Sequence, residues 1–117
     1  ALYQDDYLNT DARYDAWASA ERERLRAVYL RAADHLATEL VARGEFTEAI
    51  AWCENILTRE RCWENAYRLL MRAYASRGDK AQAQRVYEQC VQVLKEELDV
   101  EVSALTIQLW RETTKEE

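Results

Sequence analysis

One histidine, three cysteines and a run of arginines are the side chains of this sequence whose chemistry could reach beyond packing. His35 stands between Asp34 and Leu36, with no serine or cysteine close by in sequence. A nucleophile–base constellation needs such a partner, so nothing here proposes covalent or general-base catalysis. Cys53, Cys62 and Cys90 form no Cys-x-x-Cys pair. An odd number of cysteines beside a single histidine fits neither a disulfide framework nor a zinc set. Glycine-rich phosphate loops are missing too. The residue types therefore assign no catalytic, cofactor-binding or metal-binding position, and the expectation is that the protein is not an enzyme.

The cysteines have a plainer reading. Cys53 lies among Ile50 and Ile56, and Cys90 among Val86 and Leu94, which suits small buried side chains. Cys62 opens a predicted helix, where a thiolate would be favoured, so a redox pairing with Cys53 is the chemical alternative. The arginines are more suggestive. From Arg59 to Arg85 there are seven basic residues against three acidic ones, in a chain whose net charge is −6. At 100° per residue, Arg61, Arg68 and Arg72 fall within about 40° of one another, opposite Trp63, Ala66 and Leu70. That makes a basic stripe facing either solvent or an anionic partner, to which the planar guanidinium is suited.

Helices must position these groups, because Ala, Leu, Arg, Glu and Gln dominate and proline is absent. Apolar residues recurring at threes and fours predict one long helix from Ala16 to Arg43, stopped at Gly44. Further helices are expected over Thr47–Thr58, Cys62–Arg77 and Lys80–Leu98. Ser103 should N-cap a short last helix carrying Leu105, Leu109 and Trp110. Tyr3, Tyr7, Tyr14 and Trp17 share one stripe of the chain's opening stretch, which either packs internally or mediates a self-contact. An overall negative charge is unlike a duplex-DNA binder, and no apolar run is long enough to span a membrane. Free cysteines place the protein in a reducing, cytoplasmic setting.

An internal repeat organises the whole. Leu40–Leu57 (LVARGEFTEAIAWCENIL) aligns with Tyr74–Val91 (YASRGDKAQAQRVYEQCV). The alignment sets Arg43 on Arg77, Gly44 on Gly78, Ala49 on Ala83 and Glu54 on Glu88. The offset of about 34 residues is that of a tetratricopeptide helix-turn-helix unit. The expected fold is all-α: a right-handed tetratricopeptide-like stack of antiparallel hairpins with a C-terminal capping helix, as a single domain over 1–117. In such an array the first helix of each pair lines a groove for a peptide or helix. Arg68, Met71, Arg72 and Ala75 are the lining candidates, and Trp110 is a candidate contact at the far end.

Beyond the repeat, YDAWASAERERLR (Tyr14–Arg26) and the stretch from Cys62 to Trp110 carry a resemblance. Within the latter, Ala66-Tyr67-Arg68-Leu69-Leu70-Met71, Gly78, Tyr87-Glu88, Glu97-Leu98 and Val100 are the matching features, continued by Thr106 and Leu109. The sequence resembles the bacterial transcriptional activator domain that follows the winged helix in SARP-type regulators. Asp99 stands where that family has glycine, and Val102 and Ala104 where it has prolines, so a looser last break is expected. The resemblance implies a non-catalytic module for dimerisation or for contact with RNA polymerase, with no cofactor. DNA would be reached only through a winged helix absent from this chain. It also implies that the chain is a piece of a larger regulator, with residues 1–15 belonging to upstream helices. Arg61, Arg68, Met71, Arg72 and Trp110 are the partner-binding candidates. A free-standing tetratricopeptide adaptor that captures a peptide or partner helix is the alternative.

Overall fold

Five helices follow one another: α1 (Leu2–Ala42), α2 (Phe46–Arg59), α3 (Glu64–Ser76), α4 (Lys80–Leu98) and α5 (Ala104–Thr114). The computed structural model describes residues 2–114, with side chains described from residue 11 onward. There is no strand among the described residues. The predicted helices all form, and the first begins earlier than its apolar periodicity indicated, at Leu2. The side chains of Tyr3 and Tyr7 lie outside the described residues. The chain divides into two units, Ala1–Arg31 and Ala32–Glu117, with α1 contributing to both.

In the second unit the repeat is written into the backbone. Gly44 and Gly78 both take left-handed conformations, with φ of 78° and 82°. Around them the hydrogen bonds match pair for pair. Glu45 N–H donates to Leu40 O at 2.9 Å, and Asp79 N–H to Tyr74 O at 2.9 Å. Gly44 N–H reaches Val41 O at 3.0 Å, and Gly78 N–H reaches Ala75 O at 2.9 Å. Each turn thus consumes the carbonyls orphaned at a helix end, in the manner of a Schellman cap. A Cβ added at either glycine would meet nothing within 4 Å, so the backbone angle alone demands glycine. Alanine at Gly44 or Gly78 is therefore expected to cost about 1 kcal/mol each, from left-handed strain less the unfolded-state entropy of glycine. Chemical denaturation of the two single variants checks this, and near-equal losses are expected because the two turns are equivalent.

The core repeats as well. Ala49 and Ala83 are fully buried, where helices of a hairpin approach closely, and so are Ile56 and Cys90. Ala37 and Met71 are another fully buried pair at the same offset, and Ala33 pairs likewise with Tyr67. Where the first hairpin has alanine the second has Met71 and Tyr67, so most of the bulk lies between α3 and its neighbours α2 and α4. Each fully buried Leu, Ile or Met of this kind contributes about 1.5–3 kcal/mol through apolar burial.

The last break is tighter than expected. Asp99 itself takes the left-handed conformation, with φ of 54°, and its N–H closes on Lys95 O at 3.0 Å. Aspartate tolerates that region better than most residues, so the chain turns as sharply as at a glycine. Lys95 holds the Asp99 carboxylate at 2.8 Å on the exposed surface.

Candidate protein-interaction site

Helix α3 is the middle element of the second unit, and its polar residues are pulled in three directions. At its start, the Trp63 indole N–H and the Asn65 side-chain amide both donate to Oδ1 of Asp34 on α1, at 2.9 and 2.7 Å. This one carboxylate fixes the register of α3 against the end of α1. Nothing in the sequence singles out Asp34, because its partners lie about 30 residues away, beyond the reach of periodicity.

A second carboxylate ties α3 to α5. Glu64 Oε2 accepts from the Ser103 backbone N–H at 2.8 Å and from the Thr106 hydroxyl at 2.5 Å. Arg68 Nη1 donates to Thr106 Oγ1 at 2.9 Å and lies 3.6 Å from Glu64. Thr106 is fully buried, so its hydroxyl depends on these partners. Burial raises the Glu64 carboxyl, but the hydrogen bonds from Thr106 and Ser103, with Arg68 beside them, outweigh it and leave it below the usual carboxylate value. Glu64 thus supplies the anion that the N-terminus of α5 favours. Ser103 caps α5 as expected, its hydroxyl lying 3.4 Å from the Thr106 N–H.

These contacts redistribute the arginine stripe. Arg61 is exposed but pairs with Glu97 on α4 at 2.6 Å. Arg68 turns inward to the Glu64–Thr106 cluster. Met71 is fully buried, which corrects its assignment as a groove-lining contact: its face of α3 points into the core. Trp110 stacks on Tyr87 with ring centroids 4.7 Å apart and planes 12° from parallel, and its indole N–H donates to Gln84 at 2.6 Å. It fastens α5 onto α4, and only part of it reaches solvent. Arg72 alone of the five candidates is exposed with no hydrogen bond or ion pair among the described residues.

Arg72 borders a groove of about 300 Å³. One wall is Thr38, Val41 and Ala42 of α1; the other is Asn65, Leu69 and Arg72 of α3. Asn65 is held by Asp34, so that wall is fixed before any ligand arrives. The groove offers apolar contact along its length and one guanidinium at its edge, a combination suited to a carboxylate-bearing segment. A second hollow of about 280 Å³, lined by Glu54, Leu57, Thr58, Leu70, Tyr74, Gln82, Val86 and Gln89, has no cation.

The family model described as the bacterial transcriptional activator domain matches residues 1–113. The chain belongs to that family. No curated protein and no solved structure matches it. As a bacterial transcriptional activator domain it is a helical, tetratricopeptide-like, regulatory module of transcription rather than a member of a catalytic family.

The cysteines of this activator domain are free. Burial pushes the thiols of Cys53 and Cys90 up to about 12, which makes them poor nucleophiles. Cys62 lies in the turn ahead of α3 rather than in its first turn, so it gains nothing from the helix. Burial and the nearby Glu60 and Glu97 carboxylates raise its thiol also, which argues against the redox pairing with Cys53. No helix among the described residues is long and apolar enough to cross a membrane.

Proposed function

We propose that this domain is a non-catalytic docking module of a SARP-like transcriptional activator, acting in the cytoplasm through contact with RNA polymerase or through dimerisation. DNA would be reached through a winged helix elsewhere in the parent regulator. The observation that carries the reading is the groove between α1 and α3, pre-formed by the hydrogen bonds to Asp34 and edged by Arg72, which is exposed and has no partner among the described residues. A groove with an exposed arginine at its edge takes an acidic or carboxylate-ending segment without prior rearrangement, which keeps the ordering cost on the partner's side.

The same groove also supports a second reading, a tetratricopeptide adaptor for an extended peptide. The two differ in what lies upstream: a winged helix in the parent chain favours the activator, and more repeats favour the adaptor. Charge reversal tests the shared surface. Arg72→Glu is expected to weaken capture of polymerase by about tenfold or more at low salt, with stability within about 0.5 kcal/mol of the unchanged chain. Pull-down at two ionic strengths, paired with chemical denaturation, checks both halves. Undiminished capture would remove the groove from the function.

A further inference from the structure

Unit 1 displays exposed apolar side chains on one face of α1. Tyr14 is 66% exposed, Trp17 61%, Leu25 56% and Val28 44%. The rings of Tyr14 and Trp17 touch, centroids 6.1 Å apart, so the face is organised rather than scattered. Positions 14, 17, 21, 24, 28 and 31 alternate steps of three and four, the spacing of a coiled-coil seam, and span about 100° of the helix. The seam reads Tyr14, Trp17, Glu21, Arg24, Val28, Arg31.

The charge pattern of this seam selects its partner. Lay a second copy antiparallel, with the two-fold axis between Arg22 and Glu23. Glu21 then faces Arg24 of the second copy, and Arg24 faces its Glu21. Trp17 meets Val28, and Tyr14 meets Arg31, whose guanidinium can lie on the ring. The small Ala20 and Ala27 along one edge let the helices approach. A parallel pair would instead set Glu21 on Glu21 and Arg24 on Arg24, which repels. Glu21 and Arg24 already contact one another within the helix at 3.0 Å, so pairing would close a ring of four alternating charges.

We propose that two copies of this chain associate antiparallel through the Tyr14–Arg31 seam of α1, with Glu21 and Arg24 setting the register. The inference rests on the reading of the domain as an interaction module and names one partner for it. The seam is short and has two charged layers at its centre, so the association is reversible.

Sedimentation velocity of the 117-residue chain, from about 10 to 500 µM, is expected to show a monomer–dimer equilibrium. E21R places two cations at the centre of each helix and R24E places two carboxylates there. Each variant alone is expected to weaken the dimer by about tenfold or more. An equimolar mixture of the two should recover it as a heterodimer, and the doubly exchanged E21R/R24E chain should dimerise by itself. These exposed changes leave the helix intact, which circular dichroism confirms. A monomer throughout the range overturns the proposal, as does a dimer indifferent to both variants or a mixture without recovery. A monomer that still captures polymerase through Arg72 would refute the pairing and leave the docking reading standing.

Discussion

Glu64→Ala is expected to destabilise the second unit by about 2–4 kcal/mol, a large share of the 5–15 kcal/mol available to a typical domain. The loss is more than one hydrogen bond. The Glu64 carboxylate receives the Ser103 backbone N–H and the Thr106 hydroxyl, and it offsets Arg68 in a site where both side chains are about four-fifths covered. Removing it leaves the Arg68 charge with neutral partners only, and an α5 N-terminus without its anion. Glu64→Gln keeps an acceptor but loses the charge, so a smaller cost of about 1–2 kcal/mol is expected.

The pH dependence separates charge from packing. Because the native Glu64 carboxyl is held below 4.5, its contribution is fully present above that value and disappears as the pH falls through the native value. The unchanged chain should therefore lose stability steadily below about pH 4.5, and Glu64→Gln should show a shallower slope over the same window. Denaturation midpoints measured between pH 6 and 3 (by urea, to limit ionic effects) check the sign. Parallel slopes for the two proteins would show that Glu64 acts by shape alone.

Much of this fold was readable from Gly44 and Gly78. A left-handed cap has one cheap residue, so two glycines at an equal offset, in a chain with no others, announce two equivalent turns. Most helix limits followed because little else in the chain breaks a helix; α1 begins at Leu2 rather than at Ala16, and the expected break at Asp99 is tighter than its sequence suggests. Its left-handed turn depends on the Lys95 carbonyl, and composition gave no reason to expect a tight cap there. The site was harder to read. Helical angles placed Arg68 and Arg72 on one side of α3, whereas Arg61 lies in the turn before that helix, and angles within one helix do not reveal the layer laid over it. Glu97 arrives from α4 and Thr106 from α5, each more than 30 residues downstream, and they claim Arg61 and Arg68. Asp34 and Glu64 were missed for the same reason, since an acidic residue at a helix surface is usually solvated. For Met71 the repeat did hold a signal. Its equivalent in the first hairpin is Ala37, an apolar residue on the same face as Leu30 and Leu40 by helical spacing.

That burial makes Met71 the sharpest contrast with its neighbour Arg72. Met71→Ala is expected to cost about 2–5 kcal/mol, through the lost apolar contact and the cavity left behind in α3's packing. The upper part of that range is the more apt, because Met71 is fully buried and is flanked on α3 by the buried Leu70 and, two residues on, Ala73, which cannot reach across to fill the void. Successive helical residues point 100° apart, so one step along the chain passes from core to groove edge. Met71→Leu, which conserves volume, should cost less than about 1.5 kcal/mol. Urea denaturation of Met71→Ala, Met71→Leu and Arg72→Glu, each followed by polymerase capture under folding conditions, separates the two residues. Met71→Ala should lose capture only in proportion to the folded fraction, whereas Arg72→Glu should lose it while fully folded. Equal capture losses at equal folded fractions would return Met71 to the contact surface and displace the assignment of that helical face to the core.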